Sequence, residues 1–362
     1  MPVYIPKGVG AVVDTLKEFL TMDNLKPFLT TANLAPAYMA VMDVHSWNEK
    51  RLAAKYIAKY KPAHVPDVPT VTTEQVSIIV PTIDTEDTFT ECIRLWLENN
   101  PKEIIVVTIP RDVERVRKLV EAVDAPDRDK VSVFTVPKAN KREQMVRGIK
   151  CASGSILALV DDDVFWPHPQ VLPALLAPLE DEEIGAVGGP QKAHLPESRQ
   201  IPELITQWEA LALRSFDGHS RYNAIRMGAD GGVWCLVGRT VLVRTDILQN
   251  HEFYDEFVNE NWFGKKLNTG DDVTVTRWIQ HVAGWRVAIQ DVPEAVVTTT
   301  IKRDSGFAKQ MIRWQRSTLM MLITHLFREP GLRRLWSTHP YMARKMVERL
   351  IRPVLNYVYI VA

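Results

Sequence analysis

The chain has 362 residues, 46% of them hydrophobic, with 44 basic and 44 acidic side chains and a formal net charge of zero. This length and apolar share support one large domain of about 250 residues with terminal extensions, and the neutral balance argues against holding nucleic acid by bulk electrostatics. Three widely spaced cysteines, Cys92, Cys151 and Cys235, give neither a disulfide framework nor a zinc pattern, which points to a reducing, cytosolic environment.

Residues 1–70 carry weak helical periodicity (Val12, Val13, Leu16, Phe19 and Leu20, then Trp47, Leu52, Ala53, Tyr56 and Ile57) and end in a proline-rich stretch, 61–69, that reads as a linker. The first 20 residues lack the charged head and long apolar core of a secretory signal. From Val76 the pattern changes. Short β-rich runs at 76–80, 104–108, 131–134, 156–160 and 184–187 alternate with helical patterns, which predicts βαβ units and an α/β fold with a mostly parallel central sheet. Ligands bind such sheets at the carboxyl ends of the strands. The segments there are Pro81-Thr82-Ile83-Asp84, Ile109-Pro110-Arg111-Asp112, Pro137 to Arg142 and Asp161-Asp162-Asp163.

Three consecutive carboxylates after an apolar strand repel one another unless a cation compensates, so Asp161 to Asp163 is a candidate site for a divalent metal; an exposed acidic turn is the alternative. Strand alternation would turn Asp161 and Asp163 to the ligand and Asp162 away. Lys141 and Arg142 open a helix expected over 140–152, whose first amides would also favour anions; in isolation the dipeptide reads better as a surface basic pair, and the anion role rests on its neighbours. Farther on, Gly270 allows a tight turn before Asp271 and Asp272, and a carboxylate at a helix start can be held by backbone amides while keeping one oxygen free for a proton; a simple capping role is the alternative. Gln310, Arg313 and Trp314 lie three and four apart on an expected helix and share a face, where Trp314 offers a flat surface for a sugar ring and the other two offer donors.

No apolar run reaches the roughly 18 to 20 residues needed to cross a bilayer. The end of the chain, residues 353–362, reads like the opening of such a helix. Before it, Arg333, Arg334, Arg344, Lys345, Arg349 and Arg352 interleave with Leu332, Leu335, Trp336, Met346 and Leu350, a pattern that fits a basic amphipathic membrane-surface element or a solvated helix packed on the domain.

From about Val76 to Met320 the order of these motifs resembles the inverting family 2 glycosyltransferases, in particular the processive polysaccharide synthases typified by hyaluronan, chitin and cellulose synthases and fungal capsule-type enzymes. Val80-Pro81-Thr82-Ile83-Asp84 resembles the first nucleotide-binding loop, Lys141-Arg142 the basic pair, Asp161-x-Asp163 the metal motif and Gly188 to Gln191 the strand beside the acceptor. Gly270-Asp271-Asp272 resembles the catalytic-base motif and Gln310-x-x-Arg313-Trp314 the signature of processive members. Where the family has Asn-Glu in the first loop, this chain has Asp84-Thr85, with Glu86 one place later.

The resemblance implies a GT-A-like domain over 71–328, between an extension at 1–70 and a membrane-interface segment at 329–362. It implies a UDP-sugar donor, a growing polysaccharide as acceptor, Mg²⁺ or Mn²⁺ as cofactor, and a cytosol-facing enzyme at a lipid surface, with no nucleic-acid partner. Asp163 and Asp161 would hold the metal, and Asp272 would be the general base supported by Asp271. Pro81, Thr82, Asp84, Glu86, Lys141, Arg142, Asp161, Gln310, Arg313 and Trp314 would meet the donor, and Trp234 and Gln191 the acceptor. Rival readings are a soluble nucleotidyltransferase, which the lack of a Gly-x-x-x-x-Gly-Lys loop and the Gln310 to Trp314 pattern disfavour, and a non-catalytic nucleotide-sugar-binding remnant.

Overall fold

Each expected strand run forms a strand in the computed structural model, which describes residues 31–124, 126–236, 238–328 and 331–361. The large sheet contains β1 (Val76–Pro81), β2 (Glu103–Thr108), β3 (Val131–Thr135), β4 (Ile156–Val160), β6 (Ile184–Gly188), β8 (Thr240–Arg244) and β11 (Arg286–Ile289), in the order β11-β6-β8-β4-β1-β2-β3. All run parallel except β8, which lies antiparallel between β6 and β4. A small sheet joins β5 (Val164–Phe165), β12 (Val297–Thr299) and β7 (Gln191–Ala193), and β9 (Asn261–Trp262) pairs with β10 (Lys265–Lys266).

The central runs are apolar throughout because both faces of the sheet are covered. Successive side chains point to opposite faces, so β1 sends Ile78 and Val80 into one core with Phe89, Trp96 and Trp166, and Ile79 into another with Met145, Ile149, Phe253 and Trp278. The helix Lys141–Cys151 packs on this second face so closely that a Cβ on Gly148 would stand 2.5 Å from Ile79 Cγ2.

The chain divides into a compact unit of residues 56–350 and a second unit containing 31–55 and 351–361. The proline-rich stretch is not a free linker. Tyr60 donates to the Ile289 carbonyl (2.8 Å) and accepts from the Asp291 amide (2.9 Å), while Ala63 and the Gln290 side chain exchange two hydrogen bonds of 2.9 Å. Prolines remove backbone donors but leave these neighbours free to pair. At the other end, Leu335, Met342, Ala343 and Met346 are buried against Leu322 and Leu326 of the helix Gly306–Phe327, so the apolar side of 331–350 packs on the larger unit while Trp336 stays exposed. In the second unit, Tyr38 donates to Asn356 Oδ1 (2.5 Å). Met39, Val41, Val44 and Trp47, and Val354, Leu355 and Tyr357, are exposed, and no helix of the described residues is long and apolar enough to cross a membrane.

Behind the sheet, the expected helix after Gly270 runs as Asp271–Arg277 and then widens into a π-helical turn, Trp278–Val282. That turn carries His281, whose ring meets those of His325 and His339 edge-on, with centroids 6.0 and 5.7 Å away. Burial, with the other two imidazoles and Arg277 and Arg334 nearby, pushes His281 down to about 3; burial also pushes His325 down to about 4. The unfolded chain binds protons at these imidazoles near pH 6.5 and the folded chain does not, so stability is lost as pH falls from about 6.5 towards about 3. His281→Leu is expected to flatten this acid limb in urea unfolding at pH 7 and pH 5. An unchanged loss of stability between the two pH values would exclude the imidazole as its source.

Candidate functional site

The carboxyl ends of β1 and β4 open onto a cleft of about 730 Å³, closed on its far side by the helices Gln207–Asp230 and Gly306–Phe327. Pro81 and Thr82 line it from the end of β1, Lys141 from the helix start, Asp161, Asp162 and Asp163 from the end of β4, and Gln191 from β7. Trp234, Asp271, Asp272, Gln310, Arg313 and Trp314 complete the set, so residues separated by more than two hundred positions meet around one cavity.

Lys141 joins the two acidic motifs. Its Nζ lies 2.7 Å from Asp161 Oδ1 and 2.9 Å from Asp271 Oδ2. Burial disfavours the ammonium, yet the two carboxylates hold its proton affinity well above the usual lysine range. Burial likewise opposes ionisation of Asp271, but Lys141 outweighs it and holds this carboxyl below the ordinary range. Asp272 goes the other way. Burial and the neighbouring Asp271 charge push its carboxyl up, while Oδ1 accepts from the Val273 amide (2.8 Å) and Oδ2 from the Cys235 thiol (3.3 Å). The turn that presents this pair needs Gly270 in the left-handed region, with φ of 68°, where a side chain would be strained and would press on Met321.

All three residues of the aspartate triplet face the cleft, because the chain leaves the strand for a turn at Asp161 and strand alternation no longer applies. Asp162 accepts from the Thr82 hydroxyl, and burial, with Asp163 and Asp161 beside it, pushes its carboxyl up to about 7. Burial and Asp161 also raise Asp163, against the nearby Arg239 charge, and its Oδ2 accepts a long bond from Thr300 Oγ1 (3.4 Å). Arg239, which the sequence reading did not single out, lies against this acidic group. Its guanidinium stacks 4.5 Å from the Phe216 ring centroid and 5.6 Å from that of Trp314, and donates to Gln191 Oε1 (2.5 Å). Burial lowers its pKa, while Asp163, Asp161 and Asp272 oppose that shift. Its signal lay in position: it stands directly before β8.

Three expected site residues lie elsewhere. Arg142 is fully buried and points into the protein, bonded to Glu260 Oε2 (2.7 Å), the carbonyls of Phe257 (2.8 Å) and Thr269 (2.9 Å), and Thr274 Oγ1 (3.1 Å). One turn of helix sends adjacent residues to different sides, so Lys141 and Arg142 cannot both face the cleft. Asp84 and Glu86 are exposed and do not line the cavity; the Asp84 carboxylate is held by Arg111 Nη2 (2.5 Å). The helix-start amides are also committed, since Asn140 Oδ1 accepts from the amides of Arg142 (3.0 Å) and Glu143 (3.4 Å) and Asn268 Oδ1 from that of Lys141 (3.1 Å).

A family model described as "Glycosyltransferase like family 2" matches residues 74–317. The chain belongs to glycosyltransferase family 2. It is 45% identical over 312 residues to the NDP-glycosyltransferase ltbB of Aspergillus luteorubrus, covering 86% of this chain and 76% of that one. It is 36% identical over 287 residues to a Type 2 glycosyltransferase of Zymoseptoria tritici, covering 77% of this chain and 58% of that relative. Among solved structures, a Pyrobaculum calidifontis mannosyltransferase in complex with GDP-Man and Mn²⁺ matches with a TM-score of 0.53 and 19% identity, covering 81% of this chain and 74% of that one. The fold of this family 2 enzyme is therefore the GT-A-like one that the strand pattern and motif order led to. The chain spans little more than half the length of the Zymoseptoria relative.

With Arg142 in the core, its loss leaves Glu260 buried beside Thr274, with only Arg328 Nη1 at 3.5 Å to replace it. Arg142→Met is expected to cost roughly 3–5 kcal/mol in denaturant unfolding. Wild-type stability combined with weakened UDP binding would instead return Arg142 to the diphosphate.

Proposed function

We propose that this family 2 enzyme transfers a sugar with inversion from a UDP-sugar to a hydroxyl of a growing polysaccharide, using Asp272 as general base. The observation that carries this reading is the meeting of Asp163 and Asp272 on one cleft, with Lys141 spanning the two acidic motifs. Inversion requires a base on the side of the sugar opposite the leaving group, and an oxocarbenium-like state between them. Asp272 has what the base needs: two donors fix its carboxylate, and burial beside the Asp271 charge raises its proton affinity, which favours uptake of a hydroxyl proton. Asp271 is held ionised by Lys141 and supports the orientation of the pair.

The donor half of the cleft fits a hard divalent cation. Two half-buried carboxylates, Asp161 and Asp271, share one ammonium there, and Asp163 has no ion pair with it and only a long bond from Thr300 on Oδ2. Asp163 and Asp161 would hold Mg²⁺ or Mn²⁺, which supplies Lewis-acid charge to a diphosphate. Arg313, exposed to the cleft, and Arg239 add fixed positive charge where the leaving group's charge develops. Trp314, on the same helix face as Gln310 and Arg313, supports the sugar ring, and this Gln-x-x-Arg-Trp pattern supports a polymeric acceptor. The exposed apolar residues at 39–47 and 354–357 support placing the enzyme at a lipid surface.

The test is a panel of nucleotide sugars incubated with membranes carrying the protein, reading both nucleotide diphosphate release and polymer. Release of UDP without any product longer than the acceptor would exclude polymer synthesis. Asp272→Asn is expected to keep UDP and Mn²⁺ binding yet lose about 10²- to 10⁴-fold in transfer. In the parent, transfer should fall as pH drops through the raised Asp272 value, since only the ionised carboxylate accepts a proton. Wild-type-like transfer by the variant would remove the base assignment. Asp163→Asn should lose the strengthening of UDP binding by Mn²⁺ in calorimetry, and an undiminished Mn²⁺ effect would count against the ligand role.

A further inference from the structure

Beyond the acidic half, the cleft continues past Trp234 to a wall of opposite character. Trp234 is held between two guanidinium groups, that of Arg226 at 5.1 Å and that of Arg349 at 4.5 Å from its ring centroid. Arg349, Trp234, His219 and Asn223 line the cavity, and Arg226 stands directly behind Asn223, donating to its Oδ1 (3.2 Å). Neither arginine has a carboxylate partner among the described residues. The nearby Asp230 is spent on backbone amides: Oδ1 accepts from Gly232, and Oδ2 from Tyr341 (2.7 Å) and Met342 (3.2 Å).

Burial of Arg226, with repulsion from Arg349 across the same indole adding to the cost, lowers its pKa to about 10. His219 faces the same positive group, and burial plus Arg239, Arg226 and Arg349 push it down to about 4, so it stays neutral and leaves the charge unrelieved. Cation–π contact with Trp234 offsets part of this but supplies no counter-charge. An anion in the cavity at Arg349 would supply it, with guanidinium geometry suited to two-point binding of carboxylate or phosphate.

We propose that the acceptor end of the cleft binds a negatively charged acceptor, its carboxylate or phosphate meeting Arg349 and the field of Arg226 while a sugar ring lies on Trp234. The proposal deepens the sugar-transfer reading and rests on it for the word acceptor; the anion site itself rests on the arginines.

The test begins with calorimetry of UDP plus Mn²⁺ on the full chain. Methyl glucoside, glucuronate and glucose 6-phosphate are then titrated by ligand-observed NMR at fixed ionic strength, with UDP and Mn²⁺ saturating the donor half. At least one of the two anionic sugars is expected to bind about tenfold or more tightly than the neutral glycoside. Whichever anion leads identifies a carboxylate or a phosphate as the source. Arg349→Gln should bring all three to parity, and Arg349→Lys should keep much of the preference. Equal binding of the three sugars by the parent, or an undiminished preference in a folded Arg349→Gln, overturns the proposal. Failure of UDP and Mn²⁺ to bind, with the anion preference intact when the sugars are titrated alone, would instead sink the donor reading and leave the anion site standing.

Discussion

The ammonium of Lys141 is the joint on which the site depends. Asp161 ends a central strand and Asp271 opens a distant helix, and without a cation between them their charges would drive these elements apart. One side chain thus sets both the spacing of the two acidic motifs and the different proton affinities of Asp271 and Asp272. It also explains why Lys141 occurs where the helix begins: the side chain leaves from the first turn, beside the cleft, while the helix body stays in the core.

Charge around the cavity is segregated. Carboxylates gather at the strand ends, and guanidinium groups at the helices that close the opposite wall, with Arg239 at the boundary, touching Gln191 on one side and the Trp314 ring on the other. A metal-bound nucleotide sugar and a separate anionic acceptor would be steered to different ends of the cleft by this field before any close contact forms.

The sheet was legible in the sequence because fully buried parallel strands must be apolar at every position, as in Ile156 to Val160. The acidic motifs and Gln310 to Trp314 each have a bland alternative when taken alone, and were legible because they follow one another in the order of family 2 glycosyltransferases. Arg142 was misread for a physical reason: a basic pair says nothing about which member faces inward, and the deciding partner, Glu260, lies 118 residues away. Asp84 and Glu86 follow a strand end as the site residues do, yet the loop turns outward there, with Asp84 at φ of 49°, and sequence position does not encode that turn. Arg239 was given no role of its own because a lone arginine before a strand has no pattern; only the fold brings it to Asp163, Gln191 and Trp314. The linker was misjudged because proline content marks the absence of regular structure, not the absence of tertiary hydrogen bonds, and Tyr60 and Ala63 make several.

Those same bonds bear on how the protein can be cut down. A fragment begun at the first strand would strip Tyr60 and Ala63 from the end of β11, baring the Ile289 carbonyl, the Asp291 amide and the wholly buried Gln290 side chain at once. The shortest piece able to fold as the parent does should therefore begin upstream of Tyr60, ahead of residue 74, where the family pattern would suggest trimming.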